Sequence, residues 1–460
     1  MNIKSTVKAV KHPLHCNFAV CSSLRGLVHD VGLLPRERAY IVAVTKKGVD
    51  PDVVKEHLDE LVLLLDTAGA NVVGRLTQER DRPDLSTALG KGKVQELKEI
   101  ITESPVEMVV FDDELSPAQV RNLEEELGVK VLDRSGVILD IFAAHARSVE
   151  ARTQVELAQL EYLLPRLTRM WTHLSKQFGG IGTKGPGETQ IETDRRMYRT
   201  RMQRLREKLR EIDTQRLVQR KGREGLPRYA LVGYTNAGKS SLMRQITQAD
   251  VFVQDRLFAT LDTTVRSIEM PSGQRALISD TVGFIRKLPP QLVASFRSTL
   301  AETLEADVLL HVVDLSNPHY RDHMAVVDET LKTLGAADTP QIVVFNKIDL
   351  IDDPHMINDA EADVPNCVFV SAERGLNISR LLQRMQETFE ESAIMRTVHI
   401  PYEDMKAVAR IYEDVEVLHR EDTDTDIRLS VRVASDKLPL FMSRYQKFMT
   451  ADAPPTSSPS

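Results

Sequence analysis

Between Ala39 and Asp133 the chain alternates between two hydrophobic periods. Short apolar runs (YIVAV, NVVGRLT, EMVVF, KVLD) are separated by longer segments with apolar residues every three or four positions (VVKEHLDELVLLLDTAG, KVQELKEIIT, PAQVRNLEEELG). The short runs predict strands and the longer segments predict amphipathic helices. Strands interleaved with helices predict a small α/β domain. From about Val137 to Gln177 the period stays helical, with Val155, Leu157, Leu160, Leu163, Leu164 and Leu167 at helical spacing and a bend expected at Pro165. The string GGIGTKGPGETQIETDRR interrupts it, and a second helix is expected from about Glu188 to Arg220. Two long helices joined in this way predict a hairpin carrying a glycine-rich loop at its tip.

After Arg228 apolar strands return as RYALVG, RALISD, QIVVF and CVFV. The last segment reads strand TVHIPY, helix DMKAVARIYE, strands VEVLHRE and DIRLSVRVA, and helix KLPLFMSRYQKFMT, a compact α+β unit followed by the low-complexity ADAPPTSSPS. The resulting division is an extension at 1–30, an α/β domain at 31–136, a helical hairpin at 137–226, a nucleotide domain at 227–394, an α+β domain at 395–450 and a disordered tail at 451–460.

Each of those apolar strands ends in residues with phosphate or base chemistry. Gly233, Tyr234, Thr235, Asn236, Ala237, Gly238, Lys239 and Ser240 spell GYTNAGKS, between a strand and the helix pattern SLMRQIT. Such a loop closes backbone N–H groups around phosphates, its Lys reaches the β- and γ-phosphates, and its Ser hydroxyl can ligate Mg²⁺. Asp280, Thr281, Val282 and Gly283 (DTVG) follow the next strand, which brings Asp280 near the Mg²⁺ shell and the Gly283 N–H toward the γ-phosphate. In Asn346, Lys347, Ile348 and Asp349 (NKID), Asp349 can accept from guanine N1–H and the exocyclic amine, Asn346 bonds the base edge and Lys347 packs over it. Adenine lacks both of those donors, so GTP is preferred over ATP by roughly 10⁴–10⁵-fold. Ser371, Ala372 and Glu373 (SAE) cover the base through backbone groups.

A Mg²⁺-sensing threonine is expected within LFATLDTTVR, where Thr260, Thr263 and Thr264 compete. The position after Gly283, where many switch GTPases carry a water-orienting Gln, is Phe284, which can neither donate nor accept a hydrogen bond. Slow intrinsic hydrolysis is expected, with help from a bound partner that orders the switches or supplies a catalytic group. Arg266 and Arg286 are candidate groups in cis, with solvated loop charges as their plainer reading. No covalent nucleophile is required, because phosphoryl transfer to water runs on positioning and charge neutralisation.

The 460 residues suffice for about three domains. No run of about 18 apolar residues predicts a membrane span. Three cysteines, Cys16, Cys21 and Cys367, are too few for a disulfide framework and suit a reducing cytosol. His12, His15, Cys16 and Cys21 match no standard zinc spacing. A cytoplasmic protein is expected, compatible with peripheral membrane association. Net charge is −7, yet the stretch Arg195–Arg228 holds 13 Lys/Arg against 4 Asp/Glu, a local excess of +9. That block points to a polyanion, and with few aromatics beside it to structured RNA read by shape and phosphate. Lys184, Arg195, Arg196, Arg199 and Arg201 are the expected RNA contacts.

The strings LGKGKVQEL, GGIGTKGPGETQIETDRR, GYTNAGKSSL, LFATLD, DTVGFIRKLP and NKID make the chain resemble, throughout Val31–Tyr445, the HflX family of translational GTPases. The resemblance implies a Ras-like P-loop GTPase domain, preceded by a small α/β domain with a long helical hairpin and followed by a small α+β domain. It implies Mg²⁺ at Ser240 and Thr260, a switch segment at Phe258, Ala259, Thr260, Leu261 and Asp262, and binding of GTP and GDP. It further implies binding to the large ribosomal subunit and its RNA, ribosome-stimulated hydrolysis, and splitting or rescue of stalled or idle ribosomes under stress. A monomer is the default expectation for a protein that must enter a crowded ribosomal site. The chain departs from the family in its basic extension before Val31 and in Thr263, where the family commonly has proline. A regulatory GTPase that binds a protein through the hairpin is the alternative.

Overall fold

The computed structural model describes residues 36–170, 186–220, 226–248, 257–258, 260–287, 301–392, 394–423, 425–433 and 438–449. The N-terminal extension, the C-terminal tail, Lys184 and Ala259 lie outside them.

The N-terminal unit is built from β1 (Glu37–Thr45), α1 (Pro51–Ala68), β2 (Ala70–Glu79), α2 (Lys91–Glu103), β3 (Met108–Phe111), α3 (Pro117–Leu127), β4 (Lys130–Asp133) and α4 (Arg134–His145). Its four strands pair in parallel in the order β2-β1-β3-β4. Local chemistry sets the helix ends. The Asp50 carboxylate accepts from the Asp52 N–H, Pro51 opens α1, and Gly69 closes it at φ 87°. Ser116 and Gln119 form a reciprocal capping box on α3. The sheet is covered on both faces. Leu58, Leu61, Leu64 and Leu65 of α1, with Ile138 and Phe142 of α4, pack on Ile41 and Val110. Val94 and Leu97 of α2, with Leu123 of α3, pack against Val42 and Val109.

The helix expected to run unbroken from about Val137 is two helices. α4 ends at Ala146, whose ψ of 114° leaves the helical region, and α5 (Val149–Met170) starts after Ser148. The break follows from burial: Val137, Ile138, Leu139, Ile141 and Phe142 fill the core of the N-terminal unit, whereas α5 pairs with α6 (Pro186–Arg220). Leu157, Met202 and Leu205 form the buried seam of that pair. Pro165 lies inside α5. On either side of Pro165, the Tyr162 hydroxyl donates to Asp133 Oδ1 at 2.7 Å and Arg166 Nη2 to Asp133 Oδ2 at 2.8 Å, tying the helix to the N-terminal unit. Gly136 permits this approach, since a Cβ there would sit 2.9 Å from the Tyr162 oxygen.

The nucleotide domain comprises β5 (Arg228–Gly233), α7 (Lys239–Thr247), β6 (Thr264–Glu269), β7 (Arg275–Asp280), α8 (Ala301–Leu304), β8 (Val308–Asp314), α9 (Tyr320–Leu334), β9 (Gln341–Asn346), α10 (Pro354–Asp363), β10 (Val368–Phe369) and α11 (Ile378–Ser392). Its sheet runs β10-β9-β8-β5-β7-β6, parallel except for β6, which pairs antiparallel with β7 at the edge. The sequence pattern does not mark β6, because TVRSIE carries few apolar residues and only Ile268 of it is buried. The C-terminal unit is an antiparallel sheet in the order β11 (Ile394–Pro401), β13 (Asp426–Val433), β12 (Glu416–Asp422). α12 (Met405–Asp414) and α13 (Leu438–Tyr445) cover one face through Val408, Ile411, Phe441 and Tyr445. Among the described residues no helix is long and apolar enough to cross a membrane.

Candidate active site

The phosphate loop joins β5 to α7 at the carboxyl end of the sheet, where parallel α/β folds expose backbone donors. Two glycines are needed there. A Cβ on Gly233 would sit 2.2 Å from the Val312 carbonyl oxygen, and one on Gly238, at φ 91°, would sit 2.2 Å from Asn346 Nδ2. Among the described residues no side chain caps α7, which leaves its first N–H groups available to an anion. Lys239 is buried and donates to the carbonyls of Gly233 at 3.0 Å and Tyr234 at 2.8 Å. Burial pulls its ammonium down to about 8, against the opposing pull of Asp280.

Three oxygen side chains converge beside it. Ser240 Oγ lies 2.8 Å from Thr260 Oγ1 and donates to Asp280 Oδ2 at 2.7 Å, while Thr260 donates to the same oxygen at 3.3 Å. Asp280 is fully buried, and its other oxygen, Oδ1, has no protein partner among the described residues. Burial raises the Asp280 carboxyl, with Ser240 and Lys239 opposing. Of the three competing threonines, Thr260 places its hydroxyl in this cluster, and Thr264 opens β6. The DTVG turn is hydrogen-bonded to the phosphate loop in both directions, Thr235 N–H to Phe284 O at 2.8 Å and Phe284 N–H to Gly233 O at 3.0 Å. A Cβ on Gly283 would come 3.0 Å from Lys239 Nζ, so glycine lets this turn approach the lysine. Thr281 bonds the Leu231 carbonyl at 2.6 Å, and Val282 is buried, so both side chains hold the turn.

At the base end, Asn346 is a staple as well as a donor. Its Nδ2 donates to the Ala237 carbonyl and its Oδ1 accepts from the Ala372 N–H, each at 2.9 Å, joining three loops. Lys347, at φ 63°, is held by Asp314 at 2.7 Å. The Ser371 hydroxyl donates to Asp349 Oδ1 at 2.5 Å. Ile348 packs beneath the loop beside Phe345. The Glu373 side chain is exposed and faces Arg244 at 3.7 Å, leaving its backbone alone to serve the site.

Several expected site residues turn out to face the N-terminal unit. Phe258 is buried with its ring edge-on to Phe142, centroids 4.7 Å apart, and Leu261 is buried in the same cluster. The Asp262 carboxylate accepts from the backbone of Arg147 and Ser148. The Tyr234 phenol donates to Glu60 Oε1 at 2.5 Å, accepts from the Arg286 N–H at 3.0 Å, and stacks on His323 at 3.9 Å. Arg286 bonds Glu60 at 3.1 Å, so it is neither a solvated loop charge nor a group aimed at the phosphates, whereas Arg266 is exposed and bonds its neighbour's carbonyl. Sequence reasoning missed Glu60, Asp112, Arg134 and Lys287. Arg134, 1% exposed, bonds Glu60 and Asp112, and Lys287 bonds Asp112 at 2.6 Å and Asp113 at 2.6 Å. Burial lifts the Glu60 and Asp112 carboxyls, but Arg134 with Arg286 or Lys287 outweighs it and holds both below the usual range. On the hairpin, Arg195 is half-buried, Arg196 and Arg199 are exposed, and Arg201 spends its guanidinium on Glu156 at 2.7 Å.

Three family models match the chain between residues 55 and 347. One described as GTP-binding GTPase N-terminal covers residues 55–143, one described as GTP-binding GTPase Middle Region covers 145–223, and one described as 50S ribosome-binding GTPase covers 228–347. GTPase HflX of Flavobacterium psychrophilum is 45% identical over 85% of this chain and 98% of its own length. The chain belongs to the HflX family of GTPases. GTPase HflX of Escherichia coli K12 is 41% identical over 82% of this chain and 89% of its own length. A GTP-binding protein of Sulfolobus solfataricus, solved with GDP, aligns over 77% of this chain and 99% of its own at 24% identity and a TM-score of 0.40. As an HflX-family GTPase the protein binds guanine nucleotide and hydrolyses GTP, moving the γ-phosphoryl to water. Phe284, which follows Gly283, is buried at 2% exposure and leaves that water without a side-chain partner from this position.

Proposed function

We propose that this HflX-family GTPase binds the large ribosomal subunit through its hairpin arm, hydrolyses GTP with ribosome stimulation, and splits or rescues stalled or idle ribosomes under stress. The observation that carries this reading is the division of labour along α6. Arg201 and Arg206 are spent on Glu156 and Glu161 of the neighbouring helix, while Arg196 and Arg199 remain exposed on the same helix. Exposed cations on a rigid helix suit phosphate contacts with structured RNA. The family model described as 50S ribosome-binding GTPase, which matches residues 228–347, points the same way.

The nucleotide site supports Mg²⁺. Ser240, Thr260 and Asp280 offer oxygen donors of the kind Mg²⁺ prefers, and Asp280 Oδ1, buried with no protein partner among the described residues, is an acceptor suited to a cation or its water. The ion, when bound, neutralises charge on the β- and γ-phosphates. Within the protein, the phosphate-loop N–H groups and Lys239 hold the phosphates. The Gly283 N–H faces the γ-phosphate, and Asp349, fixed by Ser371, with Asn346 selects guanine. With Phe284 in the water-orienting position, the ribosome orders the switches or supplies a catalytic group. The protein acts as a cytoplasmic monomer in this reading.

Steady-state GTP hydrolysis with and without large subunits tests it. Many-fold stimulation is expected, and Lys239→Ala should lower kcat/KM by at least about 10²-fold, the scale of losing one charge-stabilising donor. Absence of ribosomal stimulation would sink the reading and favour a protein activator docked on the hairpin.

A further inference from the structure

The start of the hairpin arm is not capped by its own domain alone. Ser148 precedes the first residue of α5, and its hydroxyl accepts from the Ala151 N–H at 3.0 Å, the usual way a serine closes a helix N-terminus. That same hydroxyl donates to Asp262 Oδ1 at 2.5 Å, and Asp262 Oδ2 accepts from the Arg147 N–H at 3.0 Å and the Ser148 N–H at 3.2 Å. A carboxylate of the nucleotide domain therefore satisfies the entry to an arm helix 114 residues earlier in the chain. Its charge also opposes the positive end of the helix dipole.

Asp262 is two residues from Thr260, whose hydroxyl sits in the Ser240–Asp280 cluster. Two residues of chain span at most about 7 Å. Leu261, between them, is 2% exposed. The pair cannot move independently: a change that withdraws Thr260 from the cluster pulls on Asp262. Beyond its entry, α5 is bonded to Asp133 through Tyr162 and Arg166, so the helix moves with the N-terminal unit rather than flexing alone.

We propose that Asp262 is a positioning residue that couples nucleotide state to the hairpin arm, by capping α5 through Ser148 when Thr260 is held in the Ser240–Asp280 cluster and releasing that cap when it is not. The proposal rests on the GTPase reading of Thr260 and goes beyond it. In switch GTPases the γ-phosphate orders this segment and hydrolysis releases it, so the triphosphate state is the capped one. The arm then reads the nucleotide through three hydrogen bonds at its base.

Hydrogen exchange of the full chain, loaded with GDP or with a non-hydrolysable GTP analogue, tests this. The Arg147, Ser148 and Ala151 amides should exchange at least about ten-fold more slowly with the analogue, a coupling within the usual range for allosteric pairs. Ser148→Ala should shrink that difference to within about two-fold, and Ser148→Thr should restore it. Equal protection in both states, or faster exchange with the analogue, while the Gly238 and Lys239 amides respond to nucleotide, overturns the coupling and leaves nucleotide binding intact. No response at Gly238 and Lys239 overturns the GTPase reading and the coupling together.

Discussion

Two sets of ion pairs with the same chemistry play opposite roles in this protein. Where the N-terminal unit meets the nucleotide domain, Arg134 is 1% exposed between Glu60 and Asp112, and Arg286 and Lys287 reach those same carboxylates from the turn after DTVG. Along the hairpin, Arg201–Glu156 and Arg206–Glu161 lie in solvent, with the two arginines more than half exposed. Water screens the second set and is excluded from the first. A buried charge that loses its partner cannot be rescued by solvent, whereas an exposed one can. The interface network therefore fixes how two domains meet around the phosphate loop, while the hairpin pairs set little beyond the alignment of two helices already held by Leu157, Met202 and Leu205.

The sharpest way to break this comparison is Arg134→Met, which leaves Glu60 and Asp112 buried with fewer cations. It should cost about 3–5 kcal/mol in denaturant unfolding of the N-terminal unit. A loss below about 1 kcal/mol would mean the interface is wetter than its exposure indicates.

Acid should act on the same interface in steps. Burial first, then Arg286, lowers His57 from 6.5 to about 4. The undocked or unfolded chain therefore takes up the proton first, and stability falls as pH drops from about 6.5 toward 4. From the ordinary values of 4.5 and 3.8 downward, Glu60 and Asp112, held under the usual carboxylate range, add a further loss because the unfolded chain's carboxyls protonate first. Melting temperature followed from pH 7 to 4.5 should decline, and His57→Gln should flatten the upper part of the curve; an unchanged slope in that variant would place the sensitivity elsewhere.

The smallest effect belongs to the hairpin. Arg201→Ala with Arg206→Ala should cost no more than about 0.2–1 kcal/mol per pair in urea unfolding, and less still at 1 M salt. A larger loss would show that the arm depends on its ion pairs after all.

The four nucleotide motifs were legible because each is local: a strand, a turn and a few polar residues whose spacing alone fixes their direction. The strand–helix alternation of the N-terminal and C-terminal units was legible for the same reason. The break at Ala146–Ser148 was not, since the helical period runs through it and the cap that makes the break satisfactory is Asp262. Tyr234 read as one more phosphate-loop residue, and nothing within GYTNAGKS signals that its phenol is bonded to Glu60, 174 residues earlier.

The sequence by itself determined the chemistry: guanine nucleotide, a phosphate loop, and a basic arm in an acidic protein. Those features depend on residue type at short spacing and on helical or strand period, which local sterics and hydrogen bonding translate into structure. Only the tertiary structure decided that Phe258, Asp262 and Arg286 turn toward the N-terminal unit, and that Arg201 is spent while Arg196 stays exposed. Such assignments depend on which charges meet across long separations once water has been excluded, and that is settled by packing rather than by order along the chain.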